Sequence, residues 1–430
     1  MRKILILSLL LAAPRAALAA GGFELDEQSA RGVGTVGAQT GVANDPSAVF
    51  YNPAGLTLQP GFGALVGGNL IYARTEVSSA DKVHLQHAGV APNLFLSQRL
   101  GHHVALGFGL FTQFAENFGY PQNFAGRFLG QYIDITTVTF DFSVAIKILP
   151  FFRIGGGIDV MAGQLDLYQA LNFGSSEGNV HVGANAVGVG GNVGALIDLV
   201  PHRLHLGFMY RSRIDLDYTG HGAITGPPEL QANTGGLLNA KTTLPLPHTI
   251  AVGLALEATR RLTLSADLRI SLWRDLQTLT LTLTDPTAAA GATPQQQSVA
   301  LNFHNAWAIR VGSEARFFDG RLHLRLGLGY DSTPVPADTL SPLSPDSQRV
   351  VIGGGIGLHY RWIAIDGGYL AAILLERTAT NPAFRASYST NAHVFSLNVT
   401  VRLARLGHHV HHEEQPEELR EEPPAKRNMD

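Results

Sequence analysis

Two glycine-containing motifs in this sequence have the spacing of enzyme active sites. Residues 32–37 match G-x-G-x-x-G, in which glycines let the backbone approach the pyrophosphate of a dinucleotide. Residues 174–178 match G-x-S-x-G, which presents a nucleophilic serine on a sharp strand-to-helix turn. The first motif has no βαβ unit around it, and the second lies in a loop between two predicted strands. We therefore predict no enzymatic activity and no cofactor.

A cluster of histidines near the C-terminus has side chains that can ligate a divalent metal. The cluster comprises His408, His409, His411 and His412. It lies in residues 404–430, a charged and proline-bearing stretch that we expect to be a disordered periplasmic tail. Because no fold holds these imidazoles together, we predict no metal site.

Three arginines have positions suited to binding an anion. Strand alternation, described below, points them into the interior with Asp267 and Glu314 on the same face; they are Arg269, Arg310 and Arg325. One interpretation is that an arginine binds the polar end of an otherwise apolar ligand. The other is an ion-pair network that never contacts a ligand. The sequence alone leaves both open.

The composition constrains the fold that positions these residues. Only 15% of the 430 residues are charged, against about 25% in typical soluble proteins, so something other than water must cover part of the surface. There is no cysteine, which excludes disulfides and thiolate metal sites. The net charge of -3 implies no basic face for nucleic acid. Residues 1–20 have the basic start, apolar core and small residues of a cleaved secretory signal peptide.

Apolar residues recur at every second position from residue 61 onward, which is the period of β-strands. In residues 137–148, Phe140 and Phe142 share one face, whereas Asp141 and Lys147 share the other. Residues 321–330 and 393–403 divide in the same way. About fourteen such runs occur, and most are longer than soluble strands and suit tilted crossings of a membrane.

The connections between these runs alternate in length. Short turns are predicted at 99–102, 149–150, 200–202, 259–260 and 319–320, and polar loops near 115–131, 220–241, 285–297, 333–346 and 378–390. Outer-membrane barrels have tight periplasmic turns and longer outer loops. Unpaired strand edges are costly in a bilayer, so the strands must close on themselves. The sequence predicts an all-β fold, a transmembrane antiparallel β-barrel of about 14 strands over residues 61–403.

A lead-in without strand alternation precedes the barrel. Fourteen strands enclose a backbone diameter of roughly 28 Å, which inward side chains cannot fill. Residues 21–60 carry few charges and many glycines, and Pro46 and Pro53 mark the starts of short helical turns. We predict that this segment is an N-terminal helical hatch, or plug, folded back into the lumen.

Aromatic residues indicate two further features. Those near strand ends suit interfacial girdles; they are Trp273, Trp307, Tyr330, Tyr360 and Trp362. Others crowd a predicted outer loop and its flanks; they are Phe111, Phe114, Phe118, Tyr120, Phe124 and Phe128. Ordinary strand packing and loop packing are the alternatives. For the loop group we favour an external hydrophobic surface on which a ligand first lands.

Residues 20–403 resemble one family of outer-membrane proteins. "AGGFELDEQSARGVGTVGAQTGVANDPSAVFYNPAGLT", with the motif Asn52, Pro53 and Ala54, is similar to the N-terminal hatch of the FadL family (OMPP1/FadL/TodX) of long-chain fatty-acid transporters. "LRLGLGYDSTPVPADTLSPLSPDSQRVVIGGGIGLHY" is similar to its later strands and loop. The resemblance implies a fourteen-stranded barrel, a hatch of short helices and the uptake of hydrophobic molecules.

The resemblance also implies roles for particular residues. The Asn-Pro-Ala motif would face a lateral opening in the wall, made by an inward kink of one strand. Phe23 would line a lumenal pocket and shift on ligand binding. We place the kink in the third strand, residues 102–114, where Gly107 and Gly109 permit a bend.

We predict a multi-pass outer-membrane protein that moves hydrophobic compounds inward by passive diffusion, with long-chain fatty acids as the first candidate. Aromatic hydrocarbons on the same fold are the alternative. A lipid hydrolase would need a serine and a histidine adjacent on one outward strand face, and a polar-solute porin would need charged lumenal rings and no plug. Neither pattern is present.

The expected partners follow from this location. They are a hydrophobic small molecule, outer-membrane lipid, lipopolysaccharide and the barrel-insertion machinery. The last strand ends at Leu403 and not at the aromatic residue that usually ends an outer-membrane barrel and that the machinery recognises. We expect a monomer and no nucleic-acid partner.

Overall fold

The computed structural model of the protein describes residues 22–174, 176–226, 237–286 and 294–403. The predicted signal peptide and the predicted tail lie outside the described residues. No helix in the described ranges is long and apolar enough to cross a bilayer. The elements, in chain order, are α1 (Ala30–Gly34), α2 (Ala48–Tyr51), a 3-10 helix (Pro53–Leu58), β1 (Phe62–Ser78), β2 (Lys82–Leu100), β3 (Val104–Phe111), β4 (Ala115–Gly119), β5 (Tyr132–Leu149), β6 (Phe152–Asn172), β7 (Glu177–Val200), β8 (Leu204–Arg211), β9 (Ile214–Thr225), β10 (Leu238–Leu246), β11 (His248–Thr259), β12 (Leu262–Leu272), a second 3-10 helix (Trp273–Asp275), β13 (Thr278–Thr284), β14 (Gln295–Ala300), β15 (Ala306–Phe317), β16 (Leu322–Asp331), β17 (Arg349–Tyr360), β18 (Ile363–Leu374), β19 (Arg377–Thr378) and β20 (Ser387–Leu403).

The strands form one closed antiparallel barrel. β1 pairs along its whole length with β2 on one side and with β20 on the other, which closes the sheet. In six places two successive segments lie end to end in one barrel strand; they are β3/β4, β8/β9, β10/β11, β12/β13, β14/β15 and β18/β19. The β-segments therefore make a 14-strand barrel, and the predicted barrel fold is confirmed.

Successive side chains of each strand have opposite surroundings. Phe142 is 56% exposed, whereas its neighbour Asp141 is fully buried. Leu326 is 69% exposed, whereas Arg325 is 2% exposed. The outward face is thus a band of Leu, Ile, Val and Phe, and the inward face carries Asp, Arg, Asn and Thr. An apolar band of this extent suits hydrocarbon as its solvent.

The two ends of the barrel differ as the sequence predicts. At one end the connections are short, at residues 101–103, 150–151, 201–203, 260–261, 318–321 and 361–362. The longer connections all lie at the other end and include residues 120–131 and 332–348. Trp307, Tyr360 and Trp362 lie near strand ends and are at least 44% exposed, as girdle residues should be. Trp273 is 1% exposed and points into the interior, so the girdle prediction is wrong for this residue.

Residues 22–60, which we call the hatch segment, lie inside the ring of strands and are almost entirely buried. The Ser29 hydroxyl caps α1 by accepting a hydrogen bond from the Gly32 amide (3.1 Å), and the Asn52 side chain caps the first 3-10 helix. Pro53 occupies the first position of that helix, where its missing N–H costs nothing. α1 contacts β16, β17, β18 and β20, and the first 3-10 helix contacts β2, β3, β5, β6 and β7.

Candidate functional site

An aromatic cluster surrounds the start of the hatch segment. The Phe23 ring is 4.9 Å from that of Trp273 and 6.0 Å from that of Phe114, measured between centroids. The Phe303 ring also packs against Trp273, with 5.9 Å between centroids. Phe23 is 4% exposed, so it fills an apolar slot in the interior. Its predicted movement on ligand binding stays a prediction.

The third barrel strand is interrupted beside this cluster, between the end of β3 and the start of β4. There its backbone bonds to the hatch segment: the Leu25 amide donates to the Gln113 carbonyl (2.7 Å), and the Ala115 amide donates to the Phe23 carbonyl (3.0 Å). β2 pairs with β3 only over residues 94–100, so residues 82–93 have no ladder partner on that side among the described residues. The wall therefore has a gap between β2 and β4.

The glycines predicted to permit the kink have a different role. Gly107 and Gly109 are both paired on either side with β2 and β5, so the strand does not break at them. A Cβ at Gly107 would lie 2.7 Å from the side chains of Leu56 and Val49. These glycines thus let the hatch segment approach the wall closely. The interruption lies beyond them, at residues 112–114, still within the predicted third strand, and a bend at the glycines stays a prediction.

The Asn-Pro-Ala motif is fixed against β6 and β7. The Asn52 amide nitrogen donates to the Ala195 carbonyl at 3.0 Å. A Cβ at Gly194 would lie 2.1 Å from Asn52 Oδ1, and one at Gly155 would lie 2.6 Å from the Ala54 nitrogen. Glycine is therefore required at both wall positions. Hydrogen bonds of residues 112–115 to the hatch segment involve Phe23, Leu25 and Gln28, and the motif's place beside an opening stays a prediction.

Arg269 and Arg310 point inward and bind the carboxylates of the hatch segment. Arg310 contacts Asp26 (2.8 Å), Glu27 (2.9 Å) and, on the wall, Asp331 (3.0 Å). Arg269 binds Glu24 and lies 2.9 Å from Asp26. These contacts connect the hatch segment to strands β12, β15 and β16.

Arg325 lies in a second inward network. Its Nε is 2.8 Å from Glu314 and its Nη1 is 2.7 Å from Asp366, while Arg31 of the hatch segment reaches Glu314 at 3.0 Å. Asp267, a predicted arginine partner, instead accepts the Thr40 amide at 2.8 Å. All three predicted arginines are thus neutralised by carboxylates. This arrangement favours the ion-pair interpretation, because removing one partner of a buried pair is strongly destabilising.

The predicted external landing surface is wrong as an exposed feature. Five of its six aromatic residues are at most 7% exposed, namely Phe111, Phe114, Phe118, Tyr120 and Phe124. Tyr120 and Phe124 stack on each other at 4.3 Å between centroids. The loop folds inward over the lumen, so these rings cover the barrel interior. A role for them in ligand binding stays a prediction.

Two cavities divide the interior by polarity. The apolar cavity has a volume of about 50 Å³ and is lined mainly by Ile133, Leu165, Tyr218, Leu244, Leu281 and Val299. The polar cavity has about 420 Å³ and is lined by groups such as Arg31, Asp45, Glu314, His323, His359 and Asp366. The polar cavity includes Gly320 and so lies at the end with the short turns. Only the first has an apolar lining suited to a hydrocarbon chain, and it would have to widen to hold one.

Sequence reasoning missed the hatch carboxylates and Trp273. Glu24, Asp26 and Glu27 form an acidic cluster in an otherwise weakly charged lead-in. That cluster, set against inward arginines of the wall, was a usable signal for hatch docking. The sequence held no signal for the inward position of Trp273, because an aromatic residue at a strand end is equally compatible with a girdle.

Comparisons with known proteins place these features in context. The profile of the family described as outer membrane protein transport protein (OMPP1/FadL/TodX) matches residues 10–403. The long-chain fatty acid transport protein of Escherichia coli strain K12 is 25% identical over 386 residues, which cover 78% of this chain and 83% of that protein. The crystal structure of a Pseudomonas aeruginosa FadL homologue has a TM-score of 0.81 at 19% identity, covering 89% of this chain and 99% of that one. The P. putida toluene transporter TodX has a TM-score of 0.71 at 14% identity, covering 89% and 100%.

Proposed function

Because this chain belongs to the OMPP1/FadL/TodX family of outer-membrane transport proteins, we propose that it carries long-chain fatty acids inward across the outer membrane. It is an outer-membrane transporter of hydrophobic compounds and not an enzyme. Fatty acids are the preferred cargo because the relative named for fatty acids is similar along most of its sequence. The toluene transporter is similar in fold alone.

The observation that carries this proposal is the division of the interior into an apolar and a polar cavity. A fatty acid gains about 0.8 kcal/mol for each methylene that it buries. The polar cavity at the short-turn end would return those methylenes to a charged surface. A straight passage along the barrel axis is therefore unfavourable. A lateral exit lets the tail pass from protein into lipid.

The gap between β2 and β4 supports such an exit. It adjoins the Phe23 cluster, and no ladder hydrogen bonds close it among the described residues. A ligand tail that replaces the Phe23 ring between Phe114 and Trp273 would disturb the two backbone hydrogen bonds between the hatch segment and residues 113–115. Ligand binding would thereby be coupled to movement of the hatch segment.

Calorimetry on the purified barrel in detergent tests the proposal. We expect oleate to bind, toluene to bind more weakly because it buries fewer carbons, and sucrose not to bind. Leu165→Gln, which places an amide in the apolar cavity, should weaken oleate binding. Leu326→Gln, a matched change on the outward face, should not. Binding of sucrose alone would contradict the proposed function.

A further inference from the structure

The barrel wall has a second gap, between β10 and β13. Their ladder covers only residues 239–241 and 282–284. Pairing between the same two barrel strands resumes where His248 meets Leu272. Between these points, residues 242–246 and 278–281 have no ladder partner across the gap among the described residues. Both edges remain paired on their other sides, with β9 and β14.

The sequence carries two prolines along one edge of this gap. Pro245 is the penultimate residue of β10 and Pro247 lies between β10 and β11, and neither has an N–H to donate to a ladder. Proline is confined to strand edges for this reason. On the opposite edge, the second 3-10 helix turns Trp273 inward, which takes the chain out of the ladder. The gap is therefore a built feature of the fold.

The gap is apolar on its inner side and polar on its outer side. Leu244 and Leu281 line the apolar cavity within. Outside is a hollow of about 530 Å³ lined by Asp217, Lys241 and several threonines. Tyr218 and Thr242 line both the apolar cavity and the outer hollow. They therefore lie at the constriction between the two spaces, which we call the throat.

The polar groups at the throat can form further hydrogen bonds and ion pairs. Tyr218 is 1% exposed and Thr242 is 8% exposed, yet neither hydroxyl has a hydrogen-bond partner among the residues that the structure describes. A buried hydroxyl without a partner is costly, which indicates that something else satisfies it. Lys241 forms no ion pair within the described ranges, whereas Asp217 already accepts the Thr243 hydroxyl at 2.7 Å.

We propose that this gap, which we call the side window, is the entrance through which a long-chain carboxylate reaches the apolar cavity from the outer side. The tail passes between Leu244 and Leu281. The carboxylate stays at the throat, where it accepts hydrogen bonds from Tyr218 and Thr242 beside the Lys241 ammonium. The cavity must widen from its present volume, and because no ladder bonds join the two edges, widening breaks none. This inference rests on the proposed function, since it names where the same cargo enters.

Photocrosslinking of the full chain in detergent tests the side window without any substitution. The probe is oleic acid carrying a diazirine near the end of its tail, and the adducts are mapped by mass spectrometry. We expect adducts on peptides that contain Leu244 and Leu281. Adducts confined to the Phe23 cluster and β2 would overturn the side window and leave the proposed function intact. No saturable adducts anywhere would count against both.

Uptake of oleate into proteoliposomes gives a second measurement. Thr242→Trp should fill the throat and lower the initial rate at least about fivefold, while Asn185→Trp, an equally bulky change at an exposed position of β7, should not. Lys241→Gln should lower oleate uptake without lowering that of oleyl alcohol, and Lys147→Gln should change neither. Unchanged uptake in the folded Thr242→Trp variant, with a normal barrel by circular dichroism, would contradict the entrance.

Discussion

At the scale of single residues, the hatch carboxylates decide how the hatch segment responds to pH. Burial raises the pKa of Glu27 to about 7, although the nearby Arg310 and Arg269 oppose the shift and Asp26 and Asp331 reinforce it. A released hatch would titrate near the ordinary value of about 4.3. Between these two pKa values, the docked hatch segment therefore binds more protons than the released one. Its stability should be fully present below about pH 4.3 and fall as the pH rises to about 7.

Hydrogen exchange of the hatch amides, expressed as protection factors, measures this dependence. The protection factors should decrease from pH 4.5 to 7 in the native chain. They should depend much less on pH in Glu27→Gln, because glutamine has no ionisable carboxyl group. Glu376→Gln, at an exposed position, serves as the control and should behave as the native chain does. Equal slopes in Glu27→Gln and the native chain would show that Glu27 is not the titrating group.

Whether a side chain's position could be predicted from the sequence depended on whether its strand stays in the barrel at that residue. Alternation correctly placed Arg269, Arg310 and Arg325 inside, because all three lie on continuous ladders. The predictions for Phe114, as part of an exposed loop surface, and for Trp273, as a girdle residue, were wrong, because both residues lie where the chain leaves its ladder and both are buried. A period-2 pattern assigns the two faces of a sheet and says nothing about a segment that turns off the sheet.

At the scale of elements, the start of the hatch segment pairs with the third barrel strand where that strand is interrupted. Leu25→Pro removes the N–H that donates to the Gln113 carbonyl. The neighbouring Ala115 amide, bonded to the Phe23 carbonyl, should then exchange roughly ten to a hundred times faster, as expected from a loss of about 1–3 kcal/mol. Leu25→Ala keeps the N–H and should exchange much more slowly than Leu25→Pro. Equal rates in the two variants would exclude a role for this hydrogen bond.

Sequence patterns predicted the elements better than their interruptions. Strand period and loop lengths located the barrel strands and its two unlike ends. The gap between β2 and β4 depends on bonds between residues 23–25 and 113–115, which are far apart in the chain. No local pattern encodes such a pairing. The gap between β10 and β13 did leave a local sign, the prolines at 245 and 247, but only the ladders show that strand pairing stops beside them.

At the scale of the whole molecule, the low charge and the alternating strands were enough to predict a membrane barrel with a filled lumen. The hatch segment fills the lumen, and ion pairs and close glycine contacts hold it to the wall. Only the structure shows these contacts. Hatch and wall are joined by Arg269, Arg310 and Arg31, and by contacts at Gly194 and Gly155. We expect such a plug to hold back water and ions while the lateral gaps admit apolar molecules.

Deleting residues 22–58 tests this division between ions and apolar cargo. The strands begin at Phe62 and their ladder does not include the hatch segment, so the barrel should still close, with a lumen too wide for its side chains to fill. In a planar bilayer the deletion should convert a nearly silent protein into one that shows discrete ion-conducting steps. A chain ending at residue 403 keeps the hatch segment and should stay silent. If the deletion variant, verified as folded by circular dichroism, conducted no better than the full chain, then the loops at the outer end and not the hatch segment would be what blocks the lumen.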